Sequence, residues 1–451
     1  MTYQATVQQL YALGHELASM PSHKFDLAYV RELLAGLGNP ERRFPSVLIA
    51  GTNGKGSTGA TLAYILHAAG YKTGLYSSPH LVSINERIRV NGEAIADVEF
   101  SEVHDRVEQI AQHLLQQHKL PWHPSFFEML TAMAFEYFAI VGIDIAVLEV
   151  GMGGRLDATN VVEPLVSVIA DIALDHQKYL GNTIGEIAGE KAGIIKANGV
   201  VVTLPQHPEA NDLIGKAILE KNARGVSATK YVPPVSPGAA TYLAGTPQAL
   251  GRNRYPLTVM GEEILVNSPL PGRHQYRNIA LAIATAEELA PFGFKITPKQ
   301  IEQGIRETQW PGRFQVVPAS EATANRQMVL DVAHNPAGAW ALRSALSENF
   351  PERPLTFVFG AMRDKAIQEM AEILFPLAEQ VVATHVNNPR AATPDEIVQA
   401  ASRTGARLHA EPAAGDALDR AVELTRREGV IVVTGSIFLV GEVMQLMGLK
   451  A

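Results

Sequence analysis

The chain has no cysteine, which excludes disulfides, thiolate metal sites and thiol nucleophiles together and suits a reducing compartment. It has no excess of basic charge: 38 Lys+Arg against 46 Asp+Glu leave a formal charge of −8. A broad basic surface that tracks a phosphate backbone is therefore excluded, and no nucleic-acid partner is expected, although a local anion site is compatible with that balance. No apolar run reaches the roughly 18 residues of a membrane span. The opening segment Met1–Met20 has neither a basic region nor a continuous apolar stretch, so it does not read as a signal peptide. The expected setting is the cytoplasm, with no membrane partner. What is present is a globular composition, 47% hydrophobic and 19% charged over 451 residues. At about 150 residues per domain this length suggests two or three domains.

Phe44 to Gly70 reads as strand, glycine loop and helix: Val47–Ala50, then GTNGKGST, then a helix with Leu62, Ile65, Leu66 and Ala69 at i, i+3, i+4 and i+7. Further strands are expected at Ile143–Val150 and Val166–Ala170, with a helix over Glu128–Ile140 between the glycine loop and the second of these. Strands alternating with helices predict an α/β fold built on a mostly parallel sheet covered on both faces. From about Tyr231 to Pro271 dense prolines and glycines with short alternating runs predict a small antiparallel appendage, followed by a helix over Asn278–Leu289. A junction is expected near residues 300 to 317. Beyond it strands at Met328–Val332, Thr356–Phe359, Val381–Ala383 and Val430–Thr434 predict a second, smaller Rossmann-like sheet. Thr393-Pro394-Asp395-Glu396 has the residues of an N-cap, a proline at N1 and a capping-box Glu at N3.

The glycine loop Gly51–Ser57 sits where backbone N–H groups and a helix N-terminus can cradle phosphate while Lys55 neutralises it. It departs from G-x-x-x-x-G-K-[ST], because Gly56 separates the lysine from the hydroxyl residue. Glu149, near the end of an apolar strand, is expected at the same sheet edge, where it can hold a Mg²⁺ bridging nucleotide phosphates or turn to solvent. His176 follows the next strand. Imidazole is an unusual magnesium ligand, so residue chemistry alone leaves a structural role equally open. The glycines of Gly151–Asp157 suggest close backbone approach to a ligand. Asp331 and His334 place a carboxylate and an imidazole at a strand end of the second domain. By pattern alone Lys191 reads as a surface helix lysine, and His104, His113, His118 and His123 as a solvated face.

Together GTNGKGST, YSSPHL (Tyr76–Leu81), VLEVGMGGRLDATN (Val147–Asn160), ALDH (Ala173–His176), GEKAGI (Gly189–Ile194), PGRF (Pro311–Phe314) and DVAHNP (Asp331–Pro336) resemble the folylpolyglutamate synthase/dihydrofolate synthase family, relatives of the Mur ligases. The motifs run in order over nearly the whole chain. The resemblance implies a large P-loop ATPase and folate-binding domain over 1–300, a linker over 301–316 and a Rossmann-like glutamate ligase domain over 317–451. It implies ATP and Mg²⁺ as cofactors and the joining of L-glutamate to dihydropteroate or to a folate already carrying glutamate, through an acyl phosphate. A carboxylate is a poor electrophile, so its activation by ATP makes the phosphate the leaving group. Thr52, Asn53, Gly54, Lys55, Gly56 and Ser57 would hold the phosphates, with Asn278, Arg313 and Asp331 contacting ATP across the junction. Ser78, Glu149 and His176 match magnesium ligands. Asp26, Phe126, Phe127, Leu156, Asp157 and Ala158 match the pteroate side, and His334 and Ser436 the glutamate side. Lys191 matches a lysine carboxylated on its ε-nitrogen. Small-molecule partners and a monomer are expected. A single-activity folylpolyglutamate synthase, a Mur-type ligase acting on a UDP-sugar peptide and a nucleotide-dependent switch are the competing readings; the GTNGKGS, PGRF and DVAHNP forms favour the folate branch over the Mur type, and the absence of a guanine-reading N-K-x-D motif disfavours the switch.

Overall fold

The computed structural model describes residues 1–14, 26–234 and 251–450. Its first sheet has eight strands: β1 (Ser46–Ala50), β2 (Thr73–Tyr76), β3 (Ile88–Val90), β4 (Glu93–Ala94), β5 (Ile145–Glu149), β6 (Val166–Ile169), β7 (Val200–Thr203) and β8 (Arg224–Ser227). They lie in the order β4-β3-β2-β5-β1-β6-β7-β8. The run from β2 to β8 is parallel, and β3 and β4 add an antiparallel edge. The central strands β1 and β5 are buried along their whole length, which is why they read as continuous apolar runs. Two separate hydrophobic clusters fill the faces of this sheet, one holding Leu48, Leu148 and Phe135, the other Val47, Val147 and Ile279. The alternation of neighbouring residues between the clusters is the period-2 pleat of a strand covered on both sides.

The expected antiparallel appendage is a hairpin, β9 (Asn253–Val259) with β10 (Glu262–Ser268), turning through Met260 and Gly261. The second sheet comprises β11 (Gln315–Val317), β12 (Gln327–Leu330), β13 (Leu355–Phe359), β14 (Ala378–Thr384), β15 (Leu408–Glu411) and β16 (Val430–Thr434), in the order β11-β12-β16-β13-β14-β15. All its pairs are parallel except β11 with β12. The helix Pro394–Ala400 begins as its sequence dictates, with Thr393 accepting from the Glu396 N–H and Glu396 accepting from the Thr393 N–H. Sequence patterning missed β2 to β4, β7, β8, β11 and β15, which are short or partly exposed and lack a long apolar run.

The two sheets meet where β2 leads into the segment Ser77–Val82. Leu81 and Val82 pack into the core of the second sheet beside Ile437 and Phe438. Gly441, in the helix Ile437–Leu446, lies so close to this segment that a Cβ on it would sit 2.0 Å from the Leu81 carbonyl oxygen. Backbone cannot give way as a flexible side chain can. Gly441→Val is therefore expected to part the two sheets while leaving each folded. Small-angle scattering should show a larger radius of gyration with an unchanged far-UV circular dichroism spectrum.

Candidate active site

The carboxyl ends of the parallel strands face the second sheet, the edge at which open α/β sheets bind ligands. There the residues singled out from sequence all line one cavity of about 1010 Å³. It holds Thr52 to Ser57, Ser78, Glu149, Leu156 to Ala158, His176 and Lys191 from the first sheet's loops, Asn278 from the helix His274–Glu288, and Arg313, Asp331, His334 and Ser436 from the other side. Asp26, Phe126 and Phe127 line it too. The neighbouring motif residues His23, Lys24 and Phe25 lie outside the described residues.

The glycine loop is held open by specific contacts. The N–H groups of Thr52 and Asn53 donate to the Asp171 carbonyl at 2.8 and 3.1 Å, and the Thr52 hydroxyl donates to the Ala173 carbonyl at 3.0 Å. Gly54 has φ +85°, and a Cβ there would fall 2.2 Å from Asn278 Oδ1. Both facts require glycine. Gly56 lies under the Trp310 ring, whose Cζ2 would be 2.9 Å from a Cβ. Asn278 is in turn fixed by Gln275, whose amide reaches the Ser57 hydroxyl at 3.4 Å.

Lys55 Nζ donates to the Gly51 and Thr52 carbonyls at 3.0 and 3.3 Å and lies 3.9 Å from Glu149. Lys191 Nζ donates to the same Gly51 carbonyl at 2.8 Å. Only 4% of Lys191 is exposed, which corrects the surface-lysine reading. Burial, with the Lys55 charge adding to it, pulls its amine down to about 7.

Glu149 is the last residue of β5 and accepts from the Ser78 N–H at 3.4 Å. His176 Nδ1 is buried without a hydrogen-bond partner, and burial lowers the imidazole to about 4, leaving a neutral nitrogen lone pair. A hydroxyl, a carboxylate and this nitrogen fit a small divalent cation that keeps part of its water shell. Among the described residues no group of three or more His, Asp or Glu side chains forms a complete protein cage.

Asp157, in the cavity wall, also holds its own loop together. Its carboxylate accepts from the Met152 and Thr159 N–H groups at 2.9 and 3.0 Å and from the Thr159 hydroxyl, and burial raises its pKa. It shapes the loop whose backbone lines the cavity. Asp331 likewise accepts from the Phe314 and Ala333 N–H groups at 2.8 and 2.9 Å, tying the PGRF turn to the end of β12. Ser436 is the N-cap of the helix Ile437–Leu446.

Patterning overlooked the residue that joins the two sides. Asp175 lies within 2.6 Å of Lys365 Nζ, accepts from Asn335 Nδ2 at 3.1 Å and stands 3.6 Å from His334 Nε2. Burial pushes its carboxyl up, but the His334 contact and the Lys365 charge outweigh this and hold it well below the usual carboxylate range. Asn335 and Asn53 also exchange amide hydrogen bonds at 3.0 and 3.3 Å. Asp175 stood in plain view beside His176; Lys365 follows β13 in a motif with no histidine or glycine pair to mark it. His274 is a further omission, a half-buried imidazole whose Nδ1 is buried without a partner and which burial lowers to about 4. The solvated reading of four histidines also needs correction: His113 and His118 are exposed, but His104 is fully buried and His123 pairs with Glu108 at 2.9 Å.

The Mur ligase middle domain model matches residues 49–286, and the Mur ligase glutamate ligase domain model matches residues 312–437. The dihydrofolate synthase/folylpolyglutamate synthase of Bacillus subtilis is 33% identical over 423 residues, covering 92% of this chain and 94% of that protein. The chain belongs to the folylpolyglutamate synthase/dihydrofolate synthase family of Mur ligases. Members of this family are ATP-dependent ligases. The crystal structure of Mycobacterium tuberculosis folylpolyglutamate synthase complexed with ADP and AMPPCP superposes with a TM-score of 0.87 at 33% identity, covering 99% of each chain. That of Escherichia coli FolC in complex with DHPP and ADP superposes with a TM-score of 0.80 at 28% identity, covering 99% of this chain and 98% of that one. No described helix is long and apolar enough to cross a membrane.

Because Gly54 has no room for a side chain beside Asn278, Gly54→Ala in this family member is expected to weaken nucleotide binding by roughly a hundredfold, the scale of one lost oriented contact in a phosphate site. Titration with a fluorescent ATP analogue checks this.

Proposed function

We propose that this protein joins the amine of L-glutamate to a carboxylate on dihydropteroate and on folates already carrying glutamate, consuming ATP and releasing ADP and phosphate. The observation that supports it best is the cavity between the two sheets, which is lined together by the glycine loop, the half-buried Lys55, the buried Lys191 and the rings of Phe126 and Phe127. The organisation proposed is an ATPase and folate-binding domain over 1–300, a linker over 301–316 and a glutamate ligase domain over 317–451. A break between the two family models, which leave residues 287–311 unmatched, supports a junction in this part of the chain. In this reading the protein acts as a cytoplasmic monomer on small molecules.

The chemistry proceeds in two steps. The substrate carboxylate attacks the terminal phosphorus of ATP, forming an acyl phosphate and ADP. The neutral amine of glutamate then attacks the acyl carbon, phosphate leaves with the C–O bonding pair, and the amine's proton is lost as the amide forms. Lys55 neutralises charge on the transferring group, and the N–H groups of Gly54 to Ser57 orient it. Asn278, Arg313 and Asp331 position the nucleotide across the junction. Ser78, Glu149 and His176 would hold Mg²⁺, which when bound neutralises phosphate charge. Lys191 has an amine that burial keeps largely uncharged above about pH 7, the form that reacts with CO₂ to give a carbamate. His334 and Ser436 face the incoming amino acid.

Phosphate release by purified protein with ATP, Mg²⁺ and L-glutamate tests this reading, with dihydropteroate compared to tetrahydrofolate as acceptor. Release with both is expected. Release with neither overturns the proposal, and release with tetrahydrofolate alone restricts it to polyglutamate extension.

A further inference from the structure

The proposed reaction brings an amino acid with two carboxylates into the cavity, and the wall beyond β13 and β14 supplies two strong cations, Lys365 and Arg390. Their states differ. Lys365 is already matched by protein, since its Nζ lies 2.6 Å from Asp175 Oδ1. Arg390 is not matched in this way. Its Nη1 is 3.7 Å from Asp364 Oδ1, beyond hydrogen-bond reach, and that carboxylate is 41% exposed to solvent. Its Nε is buried with no hydrogen-bond partner. A buried donor left unsatisfied is rare and needs a reason.

The arginine is also held in place. Its N–H donates to Asn388 Oδ1 at 3.0 Å, its carbonyl accepts from the Arg363 N–H at 2.9 Å, and Ala391 forms a bridge with Met362. It is thus pinned to the turn that carries Lys365. Lys365 is linked through Asp175 and Asn335 to Asn53 in the glycine loop, whereas Arg390 meets the Lys365 turn through the Arg363 N–H and the distant Asp364 carboxylate. In glutamate the reacting amine and the α-carboxylate share one carbon, while the side-chain carboxylate lies three carbons away. A guanidinium fork donates two parallel hydrogen bonds to such a carboxylate.

We infer that Arg390 recognises the side-chain carboxylate of the incoming amino acid and is the residue that makes the acceptor site specific for an acidic one. This rests on the ligase reading above. The test uses the full chain and measures KM for L-glutamate, KM for ATP and the kcat/KM ratio of L-glutamate to L-glutamine, whose side chain is the uncharged isostere. Glutamate-dependent phosphate release by the unaltered protein establishes the ligase reading separately. Arg390→Gln is expected to raise KM for glutamate roughly a hundredfold, as expected for loss of one buried charge partner. It should collapse the glutamate preference and leave KM for ATP within twofold. Arg390→Lys keeps the charge without the fork and should give an intermediate ratio; it carries the test if the glutamine variant does not fold. An unchanged glutamate preference in the folded variant, or equal losses toward glutamate and ATP, would overturn the assignment.

Discussion

Lys191→Met is expected to lower ligation by about a thousandfold, at the upper end of what one preorganised electrostatic contact supplies, without lowering the melting temperature. The reasoning begins with burial. An ammonium with 4% exposure next to a second ammonium is unfavourable, and its pKa drops to about 7 in consequence. The sign follows from proton binding. Between about pH 7 and the ordinary lysine value the unfolded chain holds a proton that the folded chain has released, so this group's penalty on stability is full below pH 7 and is relieved as pH rises. A methionine removes the penalty, so the fold is not expected to suffer. A lysine retained at a cost to stability points to chemistry. If that chemistry is the carbamate, activity of the unaltered protein should fall in CO₂-depleted buffer, recover with bicarbonate and rise with pH through about 7. Ligation by Lys191→Met at near-normal rate would show that the amine has no part in the reaction.

Glu149→Gln carries the second large effect. The carboxylate ends β5 directly opposite the phosphate loop, 3.9 Å from Lys55 Nζ and 3.4 Å from the Ser78 N–H. Glutamine keeps the shape and one acceptor oxygen but removes the charge that a hard cation seeks. ADP formation at ordinary magnesium is expected to fall roughly a hundredfold to a thousandfold. Raising magnesium should restore part of it, because a weakened site still fills by mass action. Turnover unaffected by the substitution at ordinary magnesium would remove Glu149 from the metal site.

Residues whose chemistry announces itself in one segment were legible from sequence. The glycine loop, Glu149, Asp331 and His334 each sit at the end of a continuous apolar strand, and a fully buried parallel strand is what such a run predicts. Asp175 and Lys365 were not legible, because their meaning lies in contacts that cross 160 to 190 residues of chain, and Arg390 was not, because only the folded chain shows its Nε buried without a partner. Lys191 was misread for the same reason: its short helix has the composition of a surface helix, and only the packing of that helix beneath Gly51 buries it. The histidine His104 fails similarly, on a helix whose polar and buried faces differ by a single turn. Strands at the sheet edges escaped because half-exposed segments of two to four residues carry too little periodicity to register.

The close seating of Trp310 over Gly56 has an optical consequence. The chain has three tryptophans. Trp340 is 58% exposed and Trp122 stands edge-on to Tyr29, and neither lines the cavity. Trp310 alone of the three rests on the first turn of the phosphate-loop helix, immediately before the segment that crosses to the second sheet. Its indole emission is a built-in, label-free reporter of loop occupancy and of movement at the crossing, readable in the unaltered protein on the timescale of a stopped-flow trace.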